Sequence, residues 1–170
     1  DTSQSLREYL SNNGILTFPG FEISSAEKIH MVCLFPPEYD NSRLNQIIGQ
    51  LGLPTNSKSG TDASSLTCLE IAKKIDENKG FWYAAHITGD NGILKIGQMQ
   101  HIWTNENLSV AQIPNSIDNI DPKYKNIIRN TDKNYQRNKP VAYINSSDVE
   151  QPEDLSKPEA SVLVKMSELS

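Results

Sequence analysis

Glu22, His30, His86 and Asp148 are the residues of this chain whose types and positions suit chemistry. Glu22 closes the apolar run Ile15-Leu16-Thr17-Phe18-Pro19-Gly20-Phe21, and His30 opens the run Met31-Val32-Cys33-Leu34-Phe35. His86 stands at the end of an apolar stretch from Phe81, and Asp148 follows Val141–Asn145 after two serines. A mixed set of imidazoles and carboxylates suits Zn²⁺, Mn²⁺ or Fe²⁺. A carboxylate can also bridge two ions, which an imidazole cannot. Two bridged ions can hold a hydroxide and clamp a phosphoryl oxygen during in-line displacement. Taken singly, each residue has an ordinary alternative: a histidine satisfied by a neighbour, or an aspartate capping the next turn. Their joint placement brings the metal reading level with those alternatives.

The elements that must position them can be read from periodicity and punctuation. Residues 3–13 read as a short helix, with Gly14 where a C′ residue belongs. Residues 15–23 and 29–35 read as buried strands, the second ended by Pro36-Pro37. Helical spacing recurs over 42–52, 64–78 and 122–135, and 93–103 is compatible with a helix. Strands are expected at 81–87, 108–113, 141–145 and 161–166, while 54–63 reads as a polar, mobile loop. Alternation of strands and helices predicts an α/β fold with mostly parallel strands. The link between Ile23 and Ile29 is the exception, because five residues cannot make a parallel crossover. Those two strands must be antiparallel neighbours, which brings Glu22 and His30 to the same end. His86 and Asp148 follow the carboxyl ends of their strands, where active sites of parallel α/β folds collect.

The totals bound the function. A chain of 170 residues is sized for one domain, and a net charge of −5 gives no support to strong non-specific nucleic-acid binding. Cys33 and Cys68 lack metal or redox spacing and read as reduced core residues of a cytoplasmic protein. The sequence has no run long and apolar enough for a membrane span, so no membrane partner is expected.

Several segments, in order, resemble the PHP (polymerase and histidinol phosphatase) domain. "DTSQSLREYLSNNGILTFPGFEIS" is similar to the family's helix and strand ending in Pro-Gly-x-Glu, and "KIHMVCLF" to its next strand with a metal-binding His. "AAHI" at Ala84–Ile87 resembles Ala-His-Pro, "NSSDVEQPEDL" resembles the closing Ser-Asp-Ala-His motif, and "SVLVKM" the strand after it. The segments "NYQRNKPVAYINSSD" and "SVLVKMSEL" look most like PHP domains fused to an ATPase in bacterial proteins linked to phage defence. The resemblance implies a distorted (β/α)7 barrel with a trinuclear metal centre at the carboxyl ends of its strands. It implies Glu22 as the bridging carboxylate and His30, His86 and Asp148 as further ligands of Mn, Zn, Fe or Mg. It implies catalytic roles for Glu22, His86 and Asp148 in phosphoester hydrolysis by metal-bound hydroxide, on nucleic acid or a nucleotide.

Three departures bear on that expectation. The family's His-x-His and Thr-Asp-His motifs are absent, and would fall before Asp1, so the expectation is a barrel incomplete at its N-terminal side in residues 1–170, within a longer protein. Glu150 stands where the family has the closing His, either as an oxygen ligand or as a surface charge, and Ile87 replaces Pro. Two functions are therefore carried forward: a metal-dependent phosphoesterase, and a degenerate PHP-like module with a structural or interaction role beside an ATPase. Outside the motifs, His101 matches nothing, and Trp82 and Trp103 read as packing residues, although Trp103 could stack on a base. Lys133, Arg137 and Lys139 read either as a solvated face or as a contact for phosphate.

Overall fold

The computed structural model describes residues 2–54, 62–113, 117–145 and 153. The fold is mixed α/β, with a five-stranded sheet that is open among the described residues. The chain divides into two compact units, Asp1–Trp82 and Tyr83–Ser170, and the boundary falls inside one strand.

The first unit begins with helix α1 (Thr2–Asn12), which ends in a Schellman motif. The Ile15 N–H donates to the Leu10 carbonyl and the Gly14 N–H to the Ser11 carbonyl, both at 3.0 Å, with Gly14 at φ 75. A hairpin follows: β1 (Gly20–Ser24) runs antiparallel to β2 (His30–Leu34), in the register Gly20↔Leu34 to Ser24↔His30. The connection turns on Lys28 at φ 66, and is closed by the Ser25 N–H donating to the Ile29 carbonyl at 2.9 Å.

The first strand is shorter than its apolar run predicts. Residues 15–19 stay outside the sheet, and Ile15, Leu16 and Phe18 are exposed. The reason lies in the prolines that flank both strands at the open end of the hairpin. The Phe35 N–H donates to the Pro19 carbonyl at 2.9 Å, but Pro19 has no N–H to continue, and neither do Pro36 and Pro37.

Ile23, Met31 and Cys33 of the hairpin are buried, as are Ile47 on α2 (Asn41–Ile48) and Ile71 and Ile75 on α3 (Cys68–Glu77). α3 starts four residues later than its apolar periodicity predicts, because Thr67 caps it. Thr67 and Glu70 form a reciprocal capping box, and the Cys68 N–H donates to the Glu27 carboxylate at 2.9 Å. Ser64, ahead of the cap, is buried, and its hydroxyl donates to the Leu51 carbonyl at 2.5 Å.

In the second unit, strand β3 (Phe81–Ala84), which crosses the boundary, pairs parallel with β4 (Val110–Ile113) through Ala84↔Ala111. β4 pairs parallel with β5 (Ala142–Asn145) over four residue pairs. This is the parallel arrangement that the strand–helix alternation predicts. The expected helix over 93–103 is instead two short ones, α4 (Ile93–Ile96) and α5 (Gln100–Trp103). Gly97 and Gln98 between them take φ 76 and 54, which no continuous helix allows. Likewise α6 (Pro122–Ile128) stops well short of Tyr135, where Asn130 turns left-handed at φ 57. The expected strand 161–166 and all but the ends of the expected loop 54–63 lie outside the described residues.

Arg137 corrects the reading of a basic cluster. Its side chain is buried, unlike those of Lys133 and Lys139. Its guanidinium donates to the carbonyls of Trp103, Asn105 (2.7 Å) and Leu108 (2.7 Å), and its Nε to that of Lys139 (3.0 Å). Burial pulls its pKa down from the usual arginine value. It ties the segment after α6 to the turn before β4, so it is not available to a phosphate. Trp103 is buried beneath it, which excludes base stacking.

Candidate metal centre

Glu22 and His30 meet because of the hairpin register. Glu22 is opposite Val32 and His30 opposite Ser24, so the two are diagonal neighbours on one face of the ladder. That face is the one turned away from Ile23, Met31 and Cys33. Glu22 Oε1 lies 2.9 Å from His30 Nδ1, with Glu22 about half exposed (47%) and His30 largely covered (26%). The expectation that two antiparallel strands join these residues is met.

His86 belongs to the second unit and is positioned by a loop. Two residues beyond β3, it takes φ 27, a left-handed value that a side chain adopts at some cost. Its N–H donates to the Gln112 side-chain oxygen at 3.1 Å, and the next N–H, of Ile87, donates to the Gln112 carbonyl at 3.0 Å. Its own carbonyl accepts from the Gly89 N–H at 2.7 Å. Gly92 must be glycine here: a Cβ on it would stand 2.4 Å from the His86 oxygen and 2.6 Å from the Ile87 carbonyl carbon. The imidazole is half-buried, whereas His101, on α5, is exposed and joins no such group among the described residues.

Glu22, His30 and His86 each offer one donor atom of the kind a divalent ion takes. The Glu22–His30 geometry fits that use. Two donors on one ion, each about 2.1 Å away, stand roughly 3.0–3.4 Å apart for right-angled to tetrahedral geometry. The observed 2.9 Å is at the short end of this, and equally suits Nδ1–H donating to the carboxylate. Asp148 and Glu150 lie outside the described residues. β5, which precedes them, ends at Asn145 on the same sheet edge as the carboxyl ends of β3 and β4, because the three strands are parallel.

Reading the sequence alone missed Gln112 and the Gly89/Gly92 pair as supports of His86. The turn Gly89-Asp90-Asn91-Gly92 was visible, but which backbone it packs beneath was not. The Thr67-x-x-Glu70 cap was a readable signal, since that spacing alone marks a helix start.

No family model matches the sequence, and no curated protein matches it. Among solved structures the chain is similar to the lesion-specific endonuclease PfuEndoQ from Pyrococcus furiosus. The two are 16% identical, with a TM-score of 0.51, over 72% of this chain and 28% of that one. Identity this low shows the fold alone. That neighbour has a PHP fold, so the likeness supports a distant PHP-like fold for this chain. Among the described residues, no helix is long and apolar enough to cross a membrane.

Proposed function

We propose that this protein is a metal-dependent phosphoesterase that hydrolyses a phosphoester of nucleic acid or a nucleotide, with Glu22, His30 and His86 as metal ligands. Asp148 and Glu150 extend the proposed ligand set. The observation that carries the reading is the Glu22–His30 contact, an anionic oxygen and a nitrogen donor 2.9 Å apart on the side of the hairpin away from the core. A distant PHP-like fold supports it, as does the fact that the structural neighbour is an endonuclease. A bound divalent ion supplies Lewis acidity towards a phosphoryl oxygen and lowers the pKa of water. Mn, Zn, Fe and Mg all suit the mixed oxygen and nitrogen set to different degrees. Glu22, half exposed, brings the negative charge that retains a cation, and His30 and His86 bring neutral donors.

The seven-stranded distorted barrel, the cytoplasmic location and the link to an ATPase in phage defence belong to the same proposal. Two buried, free thiols, Cys33 and Cys68, support a reducing compartment. The second reading, a PHP-like module without catalysis beside an ATPase, is favoured by Glu150 in place of the family's closing His.

Calorimetric titration of the full chain with Mn²⁺ and with Zn²⁺ separates the two. Under the phosphoesterase reading, Glu22→Ala, His30→Ala and His86→Ala each lower metal affinity by about ten-fold or more. The same variants lose metal-dependent hydrolysis of an activated phosphodiester. Titrations that superimpose on the wild type in all three would sink the metal assignment.

A further inference from the structure

The second unit contains a polar cavity of about 260 Å³ whose lining includes Thr88, Lys95, Asn119, Asp121, Lys123 and Tyr124. Thr88 lies in the loop that leaves β3, two residues after His86, and Asn119 and Asp121 lie in the segment that follows β4. β3 and β4 are parallel, so both segments leave the same edge of the sheet. In parallel α/β folds that edge is where ligands bind.

The lining has the chemistry of a phosphate site. Lys95 and Lys123 supply two ammonium groups, Thr88 a hydroxyl and Asn119 an amide, all possible donors to an anion. Neither lysine is committed to the core, since their side chains are 52% and 62% exposed. Each is held by a carboxylate, Lys95 by Asp90 at 2.5 Å and Lys123 by Asp121 at 3.5 Å. Exposed pairs of this kind contribute little to stability. The Lys123 ammonium also stands 4.6 Å from the centre of the Tyr124 ring, and Tyr124 is almost buried. Both lysines thus line the same cavity while remaining more than half exposed.

We propose that Lys95 and Lys123 hold a phosphate group of the substrate in this cavity, with Thr88 and Asn119 as neutral donors. This deepens the phosphoesterase reading and rests on it for the identity of the ligand as substrate. The phosphate belongs either to a free nucleotide or to a nucleic-acid strand, and the chemistry of the cavity is the same for both.

The test is fluorescence anisotropy of a short, labelled single-stranded DNA with the full chain in EDTA, so that no metal contributes. Lys95→Ala and Lys123→Ala should each weaken binding by roughly five- to ten-fold. Each should also reduce the slope of log affinity against log salt by about 0.7. Lys123→Arg should retain binding, because charge and donor capacity remain. Competition by AMP then assigns the source: displacement supports a nucleotide site, and its failure supports a strand. A double alanine variant that binds like the wild type, or a wild type that binds neither probe, overturns the proposal. Loss of the metal reading with lysine-dependent binding intact would remove the phosphoesterase function and leave this site. Metal-dependent hydrolysis with unaltered binding in the double variant would remove this site alone.

Discussion

The two units place their candidate ligands by different physical means. In the first, Glu22 and His30 meet through the register of a hairpin whose strands are joined by five residues, Ser25 to Ile29. In the second, His86 is placed by a loop with a left-handed φ of 27, a tether to Gln112 and a glycine with no room for a side chain. The first arrangement is local in sequence and depends on ladder hydrogen bonds. The second depends on contacts across 26 residues, from His86 to Gln112. A hairpin can therefore carry substitutions at Glu22 and His30 with little structural cost, whereas the surroundings of His86 are fragile even where they carry no chemistry.

The sharpest way to break that contrast is at Arg137, in the second unit. Removing its guanidinium strands the carbonyls of Trp103, Asn105 and Leu108 among buried neighbours. Arg137→Met should lower stability by about 3–5 kcal/mol in urea denaturation. Glu22→Gln, at an exposed pair, should cost less than about 1 kcal/mol. Equal losses would mean that the two units do not differ in this way.

Gly92 gives the next effect. Its added methyl would meet backbone atoms of His86 and Ile87 at 2.4–2.7 Å, and backbone cannot yield as a flexible side chain does. Gly92→Ala should cost roughly 1–3 kcal/mol and disturb His86. Gly97→Ala, where nothing lies within 4 Å of the added methyl, should cost only the backbone strain of φ 76 and ψ 166, a conformation essentially confined to glycine, roughly 1–3 kcal/mol, and should leave His86 and metal titration unaltered. Thermal melts of the two variants, with metal titration of each, measure the difference.

The smallest effect is alkaline. Burial pushes the Cys68 thiol up to about 12 from its ordinary 9.0, and pushes Cys33 up in the same direction. Raised pKa values mean that the folded state keeps protons the unfolded state loses. Stability from these thiols is whole below pH 9.0 and falls as pH rises above it. Tyr143 in the second unit is pushed up to about 12 from 10.0, chiefly by burial, so its share falls only above pH 10.0. Urea denaturation between those two values should show a decline that Cys33→Ala with Cys68→Ala removes and Tyr143→Phe does not. A decline that survives the paired cysteine substitution would place the alkaline weakness elsewhere.

The antiparallel hairpin, the parallel strands of the second unit and the termination of α1 at Gly14 follow from chain length between strands, strand–helix alternation and one αL-compatible residue. Those are local or topological constraints, and the sequence by itself determined them. It determined the Glu22–His30 pairing for the same reason, since two short strands with a tight link have few registers that bury Ile23, Met31 and Cys33 together. Only the tertiary structure decided that Ile15, Leu16 and Phe18 would stay uncovered, that 93–103 would break at Gly97-Gln98, and that Arg137 would be drawn inside. An apolar run is buried only if something covers it, and an arginine is buried only where enough carbonyls converge. Neither condition is written in the residues themselves, because the covering groups and the carbonyls come from distant parts of the chain. The surroundings of His86 belong with these: its type and place after a strand were legible, but its φ, its tether to Gln112 and the space kept by Gly92 arise from packing across the second unit.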